Sequence, residues 1–421
     1  MEYKEALAYL DGAHWFGAEP SLRRIRSLLE QLGDPQKKLR FVHIAGTNGK
    51  GSCAAMLASV LRAAGYRTGL YTSPYLYRFS ERMQINGEQI GDDDLIRCVE
   101  AVRSKAEGMD EHPTEFELIT AAAMLWFQWE GCEIVVLEAG LGGRFDATNV
   151  IDAPECSVIM NIGLDHTHIL GGTPEKIAAE KAGIIKPCVP CVVYDQAPSV
   201  LDVFRARCAE LSSPLVISDF SSIRSEFDSL EGQVFSYREK QYALSLLGAH
   251  QRRNAAVAIE AVCALREKGW RIDQDALEHG LYAAAWPGRF ELCCDEPAFI
   301  VDGGHNPQCA ETVRESLLHY FPDKRRVLLL GVLRDKDAVS MAAILDNAAD
   351  EYVCAAPESE RALPAEELAD VLRPFGKQVA VCGSVSDAVF TAKERAGADG
   401  IVCATGSIYL AGSVRYELGL Y

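Results

Sequence analysis

One stretch constrains the fold more than any other: HIAGTNGKGS, His43 to Ser52. It follows FVHIA (Phe41 to Ala45), which is short, apolar and partly β-branched. It precedes CAAMLASVLRAAG (Cys53 to Gly65), which is rich in helix formers and closes on glycine. The pattern predicts a glycine-rich loop between a β-strand and an α-helix. In that setting backbone N–H groups converge on an anion, the helix N-terminus adds partial positive charge, and Lys50 reaches terminal phosphates. The segment departs from the usual G-x-x-x-x-G-K-[ST] pattern: Ile44 stands at the first glycine position, Gly51 at the hydroxyl position, and Ser52 one place late. A generic kinase or GTPase is therefore disfavoured. A nucleoside triphosphate is the expected ligand, with Thr47, Asn48, Gly49, Lys50, Gly51 and Ser52 as candidate contacts.

At 421 residues the chain exceeds the size at which one core usually stops growing, so two domains are expected. A net charge of -18 argues against a non-specific nucleic-acid binder, because phosphate contacts need surplus Lys and Arg. A polyanionic substrate must instead meet a local basic site. No apolar run approaches a membrane span, and MEYKEALAYL lacks the basic and apolar regions of a signal peptide. A cytoplasmic location is expected. The fourteen cysteines are scattered through apolar segments and read as buried thiols, while the single CVPC (Cys188 to Cys191) lacks a second pair and supports neither zinc nor redox chemistry.

Apolar strands recur at YRTGLYT (66–72), EIVVLEAG (133–140), CSVIMNIG (156–163) and PCVVY (190–194), with helix-like segments between. That spacing predicts a parallel sheet covered by helices. Residues 199–242 are more polar and are expected to form short edge strands. LLGAHQRRNAAVAIEAVCALREKG (246–269) reads as a loop and then an amphipathic helix. A second run of strands, AFIVD, RVLLLG, EYVCA, QVAVC and DGIVCAT, predicts a second doubly wound α/β domain. The expected division is 1–285, a linker at 286–297 with Pro287 and Gly288 as turn formers, and 298–421. A cleft between the domains is the natural place for a site.

Four further stretches carry chemistry. In VVLEAGLGGRFDATNV (135–150), Glu138 ends an apolar strand, where a carboxylate can hold magnesium beside phosphates. In NIGLDHTHILGGTPEKIAAEKAGIIKP (161–187), Asp165, His166 and His168 cluster at a strand end, and Lys181 lies near a helix end; spacing alone leaves the histidines between loop hydrogen bonding and a metal site. HQRRNAAVA (250–258) has Asn254 at an expected helix start, where an ordinary N-cap is the alternative. PGR (287–289) and VDGGHNP (301–307) flank the expected linker and bring Arg289, Asp302 and His305 toward the cleft.

In this order GTNGKGS, LEAGLGGRFDATNV, DHTHILGGTPEKIAAEKAGI, HQRRNA and DGGHNP resemble the folylpolyglutamate synthase and dihydrofolate synthase family, a branch of the Mur ligase superfamily. The resemblance spans nearly the whole chain, from LRRIRSLLEQLGDPQ to TGSIYLAG. It implies an α/β, Mur-ligase-like phosphate-loop ATPase domain with a parallel-rich central sheet, plus a smaller C-terminal Rossmann-like domain that ligates glutamate. It also implies ATP-dependent amide formation through an acyl phosphate, with ATP, a folate or dihydropteroate and L-glutamate as small-molecule partners.

By the same resemblance, Thr47, Asn48, Gly49 and Lys50 form the ATP phosphate loop. Ser73 and Glu138 hold one magnesium ion and His166 a second. Lys181 matches a lysine carbamylated in the family. Asn254, Arg289 and Asp302 resemble further ATP contacts, and His305 and Ser407 resemble groups near the phosphate and the incoming glutamate. Thr114, Glu115, Phe116 and Glu117, with Phe145, Asp146 and Ala147, match stretches lining the pteroate pocket. Phe116 and Phe145 can stack on a flat ring or belong to the core. Arg82 is a candidate carboxylate partner. One departure is Ser21 before Leu22, where members with both activities can have Gly-Leu. The resemblance further implies a monomer. The alternatives are a Mur-type ligase acting on a UDP-linked muropeptide and a non-catalytic nucleotide or folate binder. Retention of Lys50, Glu138, Asp302 and His305 argues against the second.

Overall fold

The computed structural model describes residues 1–13 and 20–421. Eight segments build the first sheet: β1 (Phe41–Ala45), β2 (Thr68–Tyr71), β3 (Met83–Ile85), β4 (Glu88–Gln89), β5 (Ile134–Glu138), β6 (Cys156–Ile159), β7 (Cys191–Val193) and β8 (Leu215–Ile217). Their order across the sheet is β4-β3-β2-β5-β1-β6-β7-β8. The six strands from β2 to β8 run parallel, and the β3–β4 hairpin adds an antiparallel edge. β1, β5 and β6 are buried along their whole length, as strands covered on both faces must be. One face packs Leu118, Ile119 and Phe127 from helix Glu115–Trp129, with Leu95 and Val99 from helix Asp92–Ala106. The other includes Ile177, Val200 and Phe204.

Residues 199–242 differ from the expectation of edge strands. Pro198–Glu210 is a helix whose Val200, Leu201, Phe204 and Cys208 are buried, and only β8 lies at the edge of the large sheet. β9 (Arg224–Ser229), β10 (Gly232–Tyr237) and β11 (Lys240–Leu244) form a separate three-stranded sheet. Phe235, Tyr237, Tyr242 and Leu244 are buried there, so alternation hid an apolar face that averaged composition made look polar.

The last sheet contains β12 (Glu291–Asp295), β13 (Ala298–Val301), β14 (Arg326–Leu330), β15 (Glu351–Cys354), β16 (Gln378–Val381) and β17 (Ile401–Thr405), in the order β12-β13-β17-β14-β15-β16. All neighbours are parallel except β12, which pairs antiparallel with β13. β12 lies inside the segment expected to be a linker. A β-bulge between Leu292 and Cys294 lets that short segment pair while it turns.

The chain forms two compact units. One is 1–224, 236–242 and 253–284; the other is 225–235, 243–252 and 285–421. Two segments, 225–235 and 243–252, thus join the second unit although they lie within the first 285 residues. All fourteen cysteines are free thiols, eight of them buried. Among the described residues no helix is long and apolar enough to cross a membrane.

Candidate active site

In the first unit, parallel register aligns Ile44 with Glu138 and Ala45 with Ile159, so the segments leaving β1, β5 and β6 emerge side by side at the carboxyl end of the strands. Ligands bind at such carboxyl ends where strand order reverses. Two glycines shape the loop after β1. A Cβ on Gly46 would lie 2.6 Å from the Met160 Cβ, and Gly49 sits at φ +84°, where a Cβ would lie 2.7 Å from Asn254 Oδ1. Neither position admits a side chain. The Thr47 N–H donates to the Asn161 carbonyl at 2.7 Å, and the Thr47 hydroxyl lies 3.1 Å from the Gly163 carbonyl, which ties the loop to the segment after β6.

Helix Lys50–Ala63 starts at this loop. Lys50 Nζ lies 3.2 Å from the Thr47 carbonyl and 3.8 Å from Glu138 Oε1. Glu138 is buried, and its Oε2 accepts the Ser73 N–H at 3.3 Å. Ser73 Oγ is buried with no hydrogen-bond partner among the described residues. A buried hydroxyl left so beside a carboxylate suits a cation. Among the described residues no three His, Cys, Asp or Glu side chains gather as a metal cage. Magnesium fits that shortage, because it binds through one or two protein ligands with waters and substrate phosphates.

Lys181 ends helix Pro174–Lys181 and donates to the Gly46 carbonyl at 2.7 Å. Burial, and then the Lys50 charge, push its amine down to about 7. A buried amine near neutrality is nucleophilic. Ser52 is buried in the first turn of the Lys50 helix. His166 adopts φ +49° ahead of the short helix Thr167–Leu170, and its Nε2 lies 3.8 Å from Asp165 Oδ1. Asn254 is not an N-cap: its helix begins at Ala249, and its side chain reaches Gly49.

Several residues expected at the acceptor are committed to structure. Thr114 and Glu117 form a capping box, and the Glu117 carboxylate also pairs with Arg24 at 3.0 Å. Asp146 is buried, and its carboxylate accepts the N–H groups of Leu141 (2.8 Å) and Thr148 (3.0 Å). Burial raises its pKa against those stabilising bonds. Ala147 is also buried. The Glu115 N–H donates to the Ala13 carbonyl. Phe116 packs on Gly140, where a Cβ would lie 2.6 Å from its ring, and tilts against Tyr71. Phe145 is 50% exposed, which leaves a ring open for stacking. Arg82 is buried beneath the rings of Tyr75 and Phe79, and its Nε has no hydrogen-bond partner among the described residues.

The second unit carries its own cluster. Asp302 follows β13, and its carboxylate accepts the N–H of Phe290 at 2.9 Å and of Gly304 at 2.7 Å. Burial raises its pKa, while Arg289 lowers it. These bonds hold Phe290 at φ +44°, an uncommon conformation for a bulky residue. A Cβ on Gly303 would lie 2.5 Å from Arg289 Nη1, so only glycine leaves room for that guanidinium. His305 Nδ1 lies 3.1 Å from the Gly303 carbonyl, which places a proton on Nδ1. Ser407 is buried and caps helix Ile408–Glu417 by accepting the Tyr409 N–H. Sequence reasoning missed His43 and Thr148, which are hydrogen-bonded to each other at 2.8 Å. The only available signal was a polar residue inside an apolar strand.

A nucleotide-type loop, a lysine–carboxylate pair and a second α/β unit define an ATP-using enzyme of two parallel-sheet units. The model of the Mur ligase middle domain matches residues 44–262, and that of the Mur ligase glutamate ligase domain matches 288–408. The chain is 38% identical to the dihydrofolate synthase/folylpolyglutamate synthase of Bacillus subtilis, over 99% of both chains. It is 36% identical to the folylpolyglutamate synthase of Lacticaseibacillus casei, over 99% of each. The solved Mycobacterium tuberculosis folylpolyglutamate synthase complexed with ADP superposes with a TM-score of 0.92 at 32% identity, covering 99% of this chain and 98% of that one. E. coli FolC in complex with DHPP and ADP gives 0.89 at 30%, covering 100% and 98%. This chain belongs to the folylpolyglutamate synthase and dihydrofolate synthase family of Mur ligases.

Proposed function

We propose that the protein is an ATP-dependent ligase that joins L-glutamate to the carboxylate of a folate or dihydropteroate. The observation that carries this reading is Lys50, set against Glu138 at the end of a glycine-braced loop, in a chain matched along its length by folate-glutamate ligases. The acceptor carboxylate attacks the γ-phosphorus of ATP, and ADP leaves. The amine of glutamate then attacks the acyl phosphate, loses a proton and expels inorganic phosphate. No protein nucleophile is needed. The protein's task is to align two anions and neutralise charge as it moves.

In this reading Thr47, Asn48, Gly49 and Gly51 surround the phosphates with backbone N–H groups, with Ser52 beside them, and Lys50 stabilises the transferring γ-phosphoryl group. Asn254 braces the loop through Gly49. Ser73 and Glu138 would hold a magnesium ion, with His166 serving a second; such ions neutralise phosphate charge. The near-neutral Lys181 amine suits attack on carbon dioxide, giving a carbamate with loss of one proton. Phe145 offers a face to the pterin, Phe116 forms part of the same wall, and Arg82 receives an acceptor carboxylate. Asp146, Ala147, Thr114, Glu115 and Glu117 shape that wall rather than touch the ring. Arg289 and Asp302 serve the nucleotide, and His305 and Ser407 the glutamate. Residues 1–285 would thus hold the ATP phosphates and the acceptor, and 298–421 the glutamate, with Arg289 and Asp302 adding nucleotide contacts, in a cytoplasmic monomer.

The test measures phosphate release and product mass with ATP, magnesium and glutamate, using dihydropteroate in one reaction and tetrahydrofolate in another. Glutamylated product from either is the expected result, and product from both identifies a double-activity synthase. Absence of product from every pteroate and folate acceptor would end the reading.

A further inference from the structure

His43 occupies the middle strand of the large sheet, paired with Leu137 on one side and Ser157 on the other, and is fully buried. Burying an imidazole is costly unless its nitrogens are hydrogen-bonded, and an aliphatic side chain would fill such a place without that cost. Only one ring nitrogen is used: Nε2 meets Thr148 Oγ1 at 2.8 Å, while Nδ1 has no hydrogen-bond partner among the described residues. Burial, with the nearby charge of Lys186, holds the ring neutral and pushes its pKa down to about 3.

The proton directions follow from chemistry. Thr148 has one hydroxyl proton and gives it to Asp146 Oδ1 at 2.5 Å. The Thr148 hydroxyl oxygen, its own proton committed, therefore accepts from His43, which must carry its proton on Nε2. Asp146 in turn accepts the backbone N–H of Leu141 and of Thr148. That carboxylate ties both ends of the segment 141–148 together. The segment abuts two functional groups: a Cβ on Gly140 would strike the Phe116 ring at 2.6 Å, and one on Gly143 would lie 3.0 Å from the Lys181 Cα. Its exposed tip is Phe145.

We propose that His43 is a positioning residue for the acceptor side of the site, acting through Thr148 and Asp146 on segment 140–148. The chain of donors runs from the sheet interior to the turn that presents Phe145 and backs Phe116. The assignment to the acceptor rests on the function proposed above; the mechanical link does not.

The experiment compares wild type with His43→Leu, His43→Gln and Thr148→Val. Glutamine places a donor close to the imidazole Nε2 position, leucine removes it, and valine removes the acceptor. His43→Leu and Thr148→Val are expected to raise KM for the pteroate or folate acceptor about tenfold or more, with KM for ATP within about twofold, because small misplacements of a positioning element are costly. His43→Gln recovers most of the loss. Hydrogen exchange at the Leu141 and Thr148 amides should accelerate in the leucine and valine variants, with or without turnover. An unchanged acceptor KM, equal rises in both KM values, or glutamine as damaging as leucine would overturn the acceptor role. Unaltered exchange would overturn the link itself. Should His43→Leu not fold, Thr148→Val and His43→Gln decide the same points. If wild type makes no product, the exchange measurement alone decides the link and the failure belongs to the proposed function.

Discussion

The carboxyl ends of the two parallel sheets solve different problems. After β1, β2, β5 and β6 the polar groups are left with capacity: Lys50 stands 3.8 Å from its carboxylate, Ser73 Oγ has no partner among the described residues, and the buried Lys181 amine donates to the Gly46 carbonyl. After β13 the carboxylate is committed to backbone: both oxygens of Asp302 hold N–H groups, one of them that of a strained phenylalanine. A buried group with spare capacity awaits a ligand; a satisfied one fixes a shape. Side chains should therefore act on turnover in the first cluster and on both turnover and stability in the second.

The largest effect should come from Lys50→Ala, which removes charge from the transferring phosphate. ATP turnover is expected to fall on the order of 10³-fold with the thermal midpoint nearly unchanged. Steady-state phosphate release and a melting curve on the same sample check both halves, and a turnover loss explained by unfolding would break the contrast. Asp302→Asn should cost about 2–3 kcal/mol of stability, because one amide oxygen cannot serve two buried N–H groups and its NH₂ faces a donor. Denaturant unfolding reads that loss; a stable but inactive variant would show that Asp302 acts on ligand alone.

Lys181 gives a pH-dependent effect. Its folded pKa of about 7 lies below the ordinary 10.5, so between those values the unfolded chain binds more protons and stability rises with pH. Lys181→Met removes that dependence. The variant should melt higher than wild type, by about 5 °C, near pH 7, with the gap closing toward pH 10. A gap absent at every pH would show that the amine is already converted, as carbamylation predicts. Ser407→Ala should have the smallest effect, about 1 kcal/mol from the lost cap, read by thermal unfolding. A larger fall in glutamate-dependent turnover than in stability would place this hydroxyl among the groups with spare capacity.

Legibility in the sequence followed the range of the interactions. The GTNGKGS loop was readable because its glycines answer to local backbone geometry, and Glu138 because it closes an apolar run. Strands buried on both faces announced themselves as continuous apolar stretches. The β9–β11 sheet did not, because its inward residues alternate with polar ones. Asn254 looked like a cap, since a polar residue before an apolar helix reads the same whether or not a turn of helix precedes it. Thr114 and Glu117 matched a pteroate-pocket stretch, yet their spacing of three is also that of a capping box.

The sequence by itself determined what depends on neighbours along the chain: a phosphate loop between strand and helix, two α/β regions, and motifs dense enough to identify a family of glutamate ligases. Tertiary structure alone decided which of those residues retain capacity for a ligand. Lys181 becomes a near-neutral amine only through burial beside Lys50, and Asp146 becomes a clasp only because His43, Thr148 and Leu141 meet around it. Desolvation and hydrogen-bond partners across distant segments set these properties, and neither is encoded in local spacing.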